Sequence, residues 1–295
     1  MKLQANKESK AKSVKFTYMV KEKHWVGDGF HVHGLLRPSH GINKYISPFI
    51  LMDYASPKHF SPSNKPKGVG QHPHRGFETV TFSYQGEVEH RDSSGGGGII
   101  TSGDVQWMTA GKGVVHDEFH SEEFSQKGGV FEMVQLWVNL PKKYKMTDPK
   151  YQGLSSQDIP KIQLGNTSEL RVIAGDFGGT KGPATTFTKI NIFDLSSNEG
   201  DRLSISLDKG TNTILLILRG EITLNHKQYE DQSILIFDQE GEEINFETSK
   251  KFRGLLLNGE PIEEPMVAHG PFVMNTKQEI NEAIQDYQNG KMGNL

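Results

Sequence analysis

The chain has 295 residues, with 33 basic and 36 acidic side chains and a formal net charge of −3. This length suits two domains better than one, and the evenly mixed charges provide no basic surface for nucleic acid. The chain contains no cysteine, which excludes disulfides, thiolate metal sites and cysteine nucleophiles.

The hydropathy of the chain is typical of a protein that neither crosses a membrane nor is secreted. No apolar run approaches the ~20 residues that a membrane span requires. The Lys-rich opening, residues 1–15, lacks the apolar segment of a secretory signal and predicts a solvated N-terminus. We therefore expect a cytoplasmic monomer that binds neither nucleic acid nor membranes.

Short apolar or alternating runs recur along the chain between turn residues. They include "KFTYMV", "TVTFSYQG", "VFEMVQLWVNL", "TKINIFDL", "RLSISL", "TILLILRGEITL" and "QSILIF". Runs of this length, rich in β-branched and aromatic residues, predict an all-β sandwich or barrel.

The C-terminus is the one segment that predicts a helix. Thr276 and Glu279 form a capping box, and Gly290 provides a stop. The apolar face between them consists of Ile280, Ala283, Ile284 and Tyr287. This face must pack on something, most simply on the β-body.

Prolines divide the chain into two halves. The stretch 141–165 contains Pro141, Pro149 and Pro160 with little periodicity, which is typical of a connection between domains. We predict a metal-binding domain over 1–140, a linker over 141–165, a second domain without a metal over 166–268, and a C-terminal helical segment over 269–295.

A short repeat relates the two halves. An apolar strand is followed by Gly-Glu-Val at 86–88 and by Gly-Glu-Ile at 220–222. When Gly86 is superposed on Gly220, the positions of His72 and His74 in the first half correspond to Ser206 and Asp208 in the second, and Glu78 corresponds to Asn212. The second copy thus keeps the scaffold and lacks the imidazoles.

Potential metal ligands are concentrated in two stretches. Strand side chains alternate between faces, so a continuous strand over "HPHRGFETVTF" would put His72, His74 and Glu78 on one face. In "TAGKGVVHDEFH", His116 and Glu118 are in phase with His120. Three histidines and one carboxylate from two strands would leave coordination positions open, as in catalytic metal sites.

The stretches "HPHRGFETV", "GDVQWMTAGKGVVHDE", "QLWVNLP" and "HGPFVMNT" resemble the pirin family, a branch of the cupin superfamily. The resemblance extends from about "GDGFHVHG" to the C-terminal helix. It implies an all-β bicupin, that is, two tandem cupin (double-stranded β-helix, or jelly-roll) barrels with the C-terminal helix packing back on them. It also implies a metal in the N-terminal barrel only.

The resemblance assigns the ligands position by position. The two histidines of the first motif correspond to His72 and His74, and the His and Glu of the second motif to His116 and Glu118. In cupins generally the fourth ligand is a carboxylate of the first motif, which here is Glu78. We keep Glu78 as an alternative ligand or as a hydrogen-bonding partner of a ligand.

The resemblance also implies an activity. Some pirins are similar in activity to quercetin 2,3-dioxygenase, which opens the flavonol ring and releases carbon monoxide. A flavonol-like aromatic substrate and O2 would then bind, and Glu118 would accept the proton of the flavonol 3-hydroxyl as the general base. The resemblance favours Fe(II), although a ligand set of three histidines and a glutamate would also accept Mn, Co, Ni, Cu or Zn.

Two other functions stay open at this point. Other pirins resemble metal- or redox-sensing proteins that regulate a transcription or metabolic partner by binding, without turnover. A metal-dependent isomerase, or a dioxygenase with another substrate, is a third alternative. The balanced charge gives no large docking field, which favours the enzyme.

The remaining candidate residues have simpler interpretations. His31 and His33 in "FHVHG" are expected on an exposed strand face, and His120 beyond the site. We assign no site role to His90, His226 or His269, which have no companions in the sequence. Trp107 and Met108 are expected in the core.

Overall fold

The structure is a computed structural model that describes residues 10–295; the first nine residues of the predicted solvated N-terminus lie outside the described residues. The rest of that segment packs on the second half of the chain. Lys12 is buried, and its Nζ donates hydrogen bonds to the carbonyl oxygens of Thr211, Asp238 and Gln239 at 3.1–3.2 Å.

Within the described residues the chain forms 26 strands and three α-helices. The strands of the first half are β1 (Val14–Met19), β2 (His24–Val26), β3 (Phe30–Leu36), β4 (Phe49–Phe60), β5 (Gly68–His74), β6 (Phe77–Gln85), β7 (Val88–Asp92), β8 (Gly97–Ile100), β9 (Val105–Thr109), β10 (Val114–His120), β11 (Gly129–Asn139) and β12 (Lys150–Leu154). The strands of the second half are β13 (Lys161–Leu164), β14 (Ser168–Ala174), β15 (Asp176–Phe177), β16 (Thr180–Lys181), β17 (Ile190–Ser197), β18 (Arg202–Ser206), β19 (Asn212–Arg219), β20 (Ile222–Leu224), β21 (Lys227–Tyr229), β22 (Ser233–Phe237), β23 (Glu243–Thr248), β24 (Phe252–Gly259), β25 (Val267–His269) and β26 (Phe272–Met274). The helices are α1 (Asn43–Ile46), α2 (Glu122–Lys127) and α3 (Lys277–Gln288), and Pro38–His40 and Lys142–Tyr144 are 3₁₀ turns.

The strands build two antiparallel sandwiches, so the all-β prediction is confirmed. In the N-terminal sandwich a seven-stranded sheet, in the order β12-β9-β6-β11-β4-β3-β2, faces a four-stranded sheet, β5-β10-β7-β8. In the C-terminal sandwich the order β1-β22-β19-β24-β17-β14-β13 faces β18-β23-β20-β21. Among the described residues, no helix is long and apolar enough to cross a membrane.

Strand pairing does not follow the predicted domain limits at two places. Strand β1, from the N-terminus, pairs with β22 at the edge of the C-terminal sandwich. Strand β12, from the predicted linker, pairs with β9 at the edge of the N-terminal sandwich. Each sandwich therefore has one edge of its large sheet covered by a strand from outside the predicted domain, which leaves fewer unpaired backbone groups. The limits themselves stay a prediction.

The largest apolar core lies between the two sandwiches. Their seven-stranded sheets face each other through a cluster that includes Val80 and Leu136 from one sheet and Ile214 and Leu257 from the other. Trp107 belongs to this cluster, and Met108 is fully buried nearby, so both are core residues as predicted. Burial of each large aliphatic side chain contributes about 1.5–3 kcal/mol.

The C-terminal helix α3 forms as predicted and packs back on the N-terminal sandwich. Thr276 Oγ1 accepts a hydrogen bond from the Glu279 amide, and the Glu279 carboxylate accepts one from the Thr276 amide, which completes the capping box. Ile280 and Ala283 are buried in a cluster with Val115 of β10. The helix is therefore fixed against the sheet that carries the second motif.

The first motif is not one continuous strand, because Gly76 separates β5 from β6. Gly76 has φ +87°, and a Cβ at this position would lie 2.1 Å from the Val273 carbonyl oxygen. Only glycine meets both conditions without strain. In a straight strand His74 and Glu78 would lie on the same face. The turn at Gly76 breaks this alternation between the two residues.

The prediction that Glu78 shares a face with His72 and His74 is therefore wrong. Thr81 of β6 contacts Glu118 across the N-terminal sandwich, whereas Val80 lies in the core between the sandwiches. Glu78 is in phase with Val80, since side chains two positions apart share a face. Its Oε1 accepts a hydrogen bond from Thr109 Oγ1 at 2.7 Å, and its buried Oε2 has no partner among the described residues. Burial raises the pKa of Glu78 to about 7.

Replacement of Ile214 by Ala should lower the free energy of unfolding by about 2–5 kcal/mol, because Ile214 is fully buried in the core between the sandwiches. The matched control is Ile99→Ala, at a position that is 54% exposed, where the change should stay within about 0.5 kcal/mol. Denaturant unfolding of both variants measures the difference. Equal effects would show that this core does not stabilise the fold.

The protonation of Glu78 should make stability depend on pH. The pKa of Glu78 is about 7 in the folded protein against the ordinary 4.5, so its stabilising contribution is complete below the ordinary pKa and is lost as the pH rises through 7. Relative to the Glu78→Gln variant, the wild-type protein should lose up to about 3 kcal/mol between about pH 4 and pH 8. Denaturant unfolding across this range measures it; a difference that does not vary with pH would contradict the assignment.

Candidate metal centre

Pairing of β5 with β10 brings three histidines together. His116 lies opposite His72, and Val114 lies opposite His74. The ring centroids of these three histidines, which we call the histidine triad, are 4.2–4.8 Å apart. Their ligand nitrogens lie within 4.8 Å of one another. The register of two strands thus assembles residues that are more than forty positions apart in the sequence.

Hydrogen bonds at Nδ1 define which nitrogen of each triad ring is free. His72 Nδ1 lies 2.9 Å from the Gly70 carbonyl oxygen, and His74 Nδ1 lies 3.3 Å from that of Pro271. A carbonyl only accepts, so each Nδ1 carries the proton and each Nε2 keeps its lone pair. His116 Nε2 is buried and has no hydrogen-bond partner among the described residues. An orphaned nitrogen of this kind fits a metal ligand.

The environment of His74 and His116 favours their neutral imidazoles. Burial, reinforced by the neighbouring histidines, lowers the pKa of His74 and of His116 well below the ordinary 6.5. The neutral ring is the form that binds a metal. His72 is partly exposed while the other two rings are buried, so solvent approaches the triad from the His72 side.

Glu118 lies beside the triad and is held by amide groups. Its Oε1 accepts hydrogen bonds from Gln106 Nε2 at 2.8 Å and from Thr81 Oγ1 at 3.5 Å, and its Oε2 accepts one from Gln135 Nε2 at 3.0 Å. These contacts use both lone-pair sites of Oε1 and leave one free on Oε2. Glu118 groups with His116 within 4.8 Å but is not in the group that contains His72 and His74.

The arrangement suits a transition metal. Three neutral nitrogens and a carboxylate are the donors that Fe, Mn, Co, Ni, Cu and Zn accept. Among the described residues, the groups that could hold an ion all lie in the N-terminal sandwich. In the C-terminal sandwich the corresponding space is filled by an apolar cluster that includes Phe193 and Phe246. Glu78 belongs to neither metal-binding group.

The sequence interpretation missed His90. This residue of β7 is fully buried opposite Glu118, and its Nδ1 lies 3.2 Å from His116 Nδ1. Its Nε2 lies 3.2 Å from Asp92 Oδ2. Burial alone would raise the pKa of Asp92, but hydrogen bonds from His90, Ser94 and Gly96 hold it at about 2. The signal in the sequence was the in-phase pair His90 and Asp92 in "VEHRD", just after Gly86.

Three further histidines of the N-terminal sandwich make structural contacts. His120 donates from Nε2 to the Gly29 carbonyl at 3.0 Å and stacks on Phe131, so it lies outside the site as predicted. His31 stacks on Trp25. The exposed face predicted for His33 is wrong, because His33 is only 2% exposed and bonds the Val20 carbonyl at 2.7 Å.

A small cavity lies between His72 and Glu118. Its volume is about 30 Å³, and its other lining residues are Val26, Phe30, Val32, Asp53, Val69, Met133 and Gln135. A space of this size holds a water molecule or a diatomic ligand. Binding sites for drug-sized organic molecules are about ten times larger. A larger cavity, of about 870 Å³, lies away from the triad beside Pro48 and Pro261.

Comparison with known proteins agrees with this architecture. Residues 30–138 match the Pirin family model, and residues 192–293 match that of the Pirin C-terminal cupin domain. A Pseudomonas aeruginosa protein named "Putative quercetin 2,3-dioxygenase" is 47% identical over 270 residues, 91% of this chain and 94% of its own length. Pirin-1 of Arabidopsis thaliana is 41% identical over 257 residues, 85% of each chain.

Solved structures share the fold along nearly the whole chain. The crystal structure of quercetin 2,3-dioxygenase from Acinetobacter baumannii superposes with a TM-score of 0.93 at 49% identity, over 96% of this chain and 99% of that one. A bacterial pirin from Escherichia coli in complex with nickel(II) superposes with a TM-score of 0.64 at 16% identity, over 84% of this chain and 99% of that one. The two sandwiches are therefore the two cupin barrels of a bicupin, and the chain belongs to the pirin family.

Proposed function

We propose that this protein is a metal-dependent dioxygenase that opens flavonols such as quercetin with O2 and releases carbon monoxide. The observation that carries the proposal is the histidine triad, with the protonated Nδ1 atoms of His72 and His74 and the orphaned Nε2 of His116. The similarity to proteins named quercetin 2,3-dioxygenase supports the choice of reaction.

We assign His72, His74, His116 and Glu118 as the metal ligands, with Fe(II) as the expected ion. A bound transition metal would supply a Lewis-acidic, redox-active centre for the substrate oxygen and for O2. Glu118 would accept the proton of the flavonol 3-hydroxyl. Gln106 and Gln135 hold both of its oxygens through amide donors, which fixes the orientation of the carboxylate beside the triad.

A flavonol needs more room than the cavity of about 30 Å³ beside Glu118 offers. His72 is the partly exposed member of the triad, and Gly70 and Gln71 before it are exposed. We place the entrance for the substrate on this side. The apolar cavity wall, which includes Phe30, Val32 and Met133, would pack against the flat rings.

The small size of this cavity favours a second function for the same metal centre. A site with three buried ligands and space for a diatomic ligand suits a sensor, in which the state of the ion changes a protein-binding surface without turnover. In that case the metal binds, O2 is not consumed with flavonols, and a protein partner takes the place of the substrate.

Replacement of His74 by Ala should abolish both metal binding and oxygen uptake, because it removes one of the three converging imidazoles. For the wild-type protein we expect one metal ion per chain and quercetin-dependent uptake of O2 with release of carbon monoxide. Metal analysis and an oxygen electrode measure the two quantities. A removed ligand typically costs more than the 10–100-fold loss of a group that only supports a ligand.

His59→Ala is the matched control, because His59 is exposed at the far end of β4; it should change neither quantity. Full metal content in the His74→Ala variant would show that the ligands are wrongly assigned. Stoichiometric metal without flavonol-dependent oxygen uptake in the wild-type protein would reject the dioxygenase and favour the sensor.

A further inference from the structure

His116 differs from its two partners in what its Nδ1 contacts. His72 and His74 each bond a backbone carbonyl through Nδ1, whereas His116 Nδ1 faces the Nδ1 of another imidazole, that of His90, at 3.2 Å. Two neutral imidazoles can bond in either direction, because each ring has one donor and one acceptor nitrogen. The orientation of His116 as a ligand therefore depends on which ring carries the proton between them.

Asp92 determines the direction of the hydrogen bond between His90 and His116. Its Oδ1 accepts hydrogen bonds from the Ser94 amide at 2.8 Å, the Ser94 hydroxyl at 2.6 Å and the Gly96 amide at 3.0 Å. Its Oδ2 lies 3.2 Å from His90 Nε2. An ionised carboxylate only accepts, so His90 carries a proton on Nε2. A neutral His90 ring then has its lone pair on Nδ1. His116 must then donate from Nδ1, which leaves a lone pair on its Nε2.

The ring of His90 is held in place for this role. It is fully buried, and it stacks on Tyr151 of β12 with ring centroids 5.1 Å apart and an interplanar angle of 22°. Asp92 is also nearly fully buried. The Asp92–His90–His116 chain therefore excludes water, which could otherwise satisfy either tautomer of His116.

We propose that His90 and Asp92 are positioning residues that fix His116 as the Nδ1–H tautomer and so present its Nε2 lone pair to the metal. This inference rests on the proposed metal site. In this proposal the Nδ1 of His116 is held by side chains, whereas the Nδ1 atoms of His72 and His74 are held by backbone carbonyls. A carboxylate that acts through one intervening imidazole would orient the ligand as a directly bonded carboxylate does in other metal sites.

An alternative use of the same residues is to hold the metal ion at a different position. His90, His116 and Glu118 also lie within 4.8 Å of one another, and an ion there would require lone pairs on both facing Nδ1 atoms. The hydrogen bond from His90 Nε2 to Asp92 allows a lone pair on His90 Nδ1, but His116 would then need its proton on Nε2. That arrangement would remove His116 from the triad, so the two uses exclude each other, and the tautomer of His116 in the metal-free protein distinguishes them.

The sharpest test is Asp92→Asn, which keeps the shape of the side chain and adds a donor. The amide oxygen should take the place of Oδ1, since three donors point at it, and the amide nitrogen should donate to His90 Nε2. Both histidines then change tautomer: His90 donates from Nδ1 to His116 Nδ1, and His116 carries its proton on Nε2. In the metal-free wild-type protein, ¹⁵N NMR of the imidazoles should report Nδ1–H for His116, and in Asp92→Asn it should report Nε2–H.

Metal affinity should follow the tautomer. In Asp92→Asn and in His90→Phe, which has no acceptor, the Kd for Co(II) should rise by about 10- to 100-fold, and the ligand-field spectrum of the bound Co(II) should change. His90→Gln, whose amide oxygen can accept from His116, should restore part of the affinity. His120→Phe is the matched control: it replaces another buried histidine of the same sandwich and should leave tautomer and affinity unchanged.

An Nε2–H tautomer of His116 in the wild-type protein would overturn the proposal, as would unchanged tautomer and affinity in Asp92→Asn. An Nε2–H tautomer together with loss of Co(II) binding in both His90→Phe and His90→Gln would establish the alternative ion position instead. The NMR measurement requires no metal and no turnover. If the predicted tautomers are found but flavonol-dependent oxygen uptake is absent, the dioxygenase fails and the positioning role stands. If His90→Phe does not fold, the NMR spectra of the wild-type protein and of Asp92→Asn still test the tautomer of His116.

Discussion

The antiparallel pairing of β5 with β10 is the constraint on which the rest of this molecule depends. It places His116 opposite His72, two positions along the register from the pair that contains His74, so three imidazoles share one small volume. A shift of one residue would turn the histidines of one strand to the other face. The surrounding features preserve this register: the turn at Gly76, the packing of α3 behind Val115, and the pairing of β10 with β7 on its other side.

The C-terminal segment also belongs to the metal centre. Pro271 supplies the carbonyl for His74 Nδ1, and the Val273 amide donates to the Arg75 carbonyl. Lys145 Nζ is buried and donates to the carbonyls of Gly76 and Val273, so one ammonium joins the first motif to the C-terminal segment. Residues nearly two hundred positions away in the sequence therefore hold the first motif in its conformation.

The interiors of the two barrels differ: that of the C-terminal barrel is apolar, and that of the N-terminal barrel contains the polar groups of the candidate site. The C-terminal barrel is filled with aliphatic and aromatic side chains, whereas the N-terminal barrel buries polar groups such as Thr81, Gln106 and Glu118 beside the histidines. Buried polar groups cost free energy unless each has a partner. The amide donors around Glu118 provide such partners, and the apolar core shared between the barrels offsets the remaining cost.

The sequence by itself determined the strands, the C-terminal helix and the triad residues, because two-residue alternation, a capping box and two histidine motifs are local patterns. It could not determine the face of Glu78. That face depends on the turn at Gly76, which has a positive φ and leaves no room for a Cβ beside the Val273 carbonyl, and only the folded chain brings this carbonyl near. Nor could it single out His90, whose partners are His116 on a neighbouring strand and Tyr151 on another sheet. Only the tertiary structure decided these contacts, because they depend on the register between strands and on packing between sheets, which no local pattern encodes.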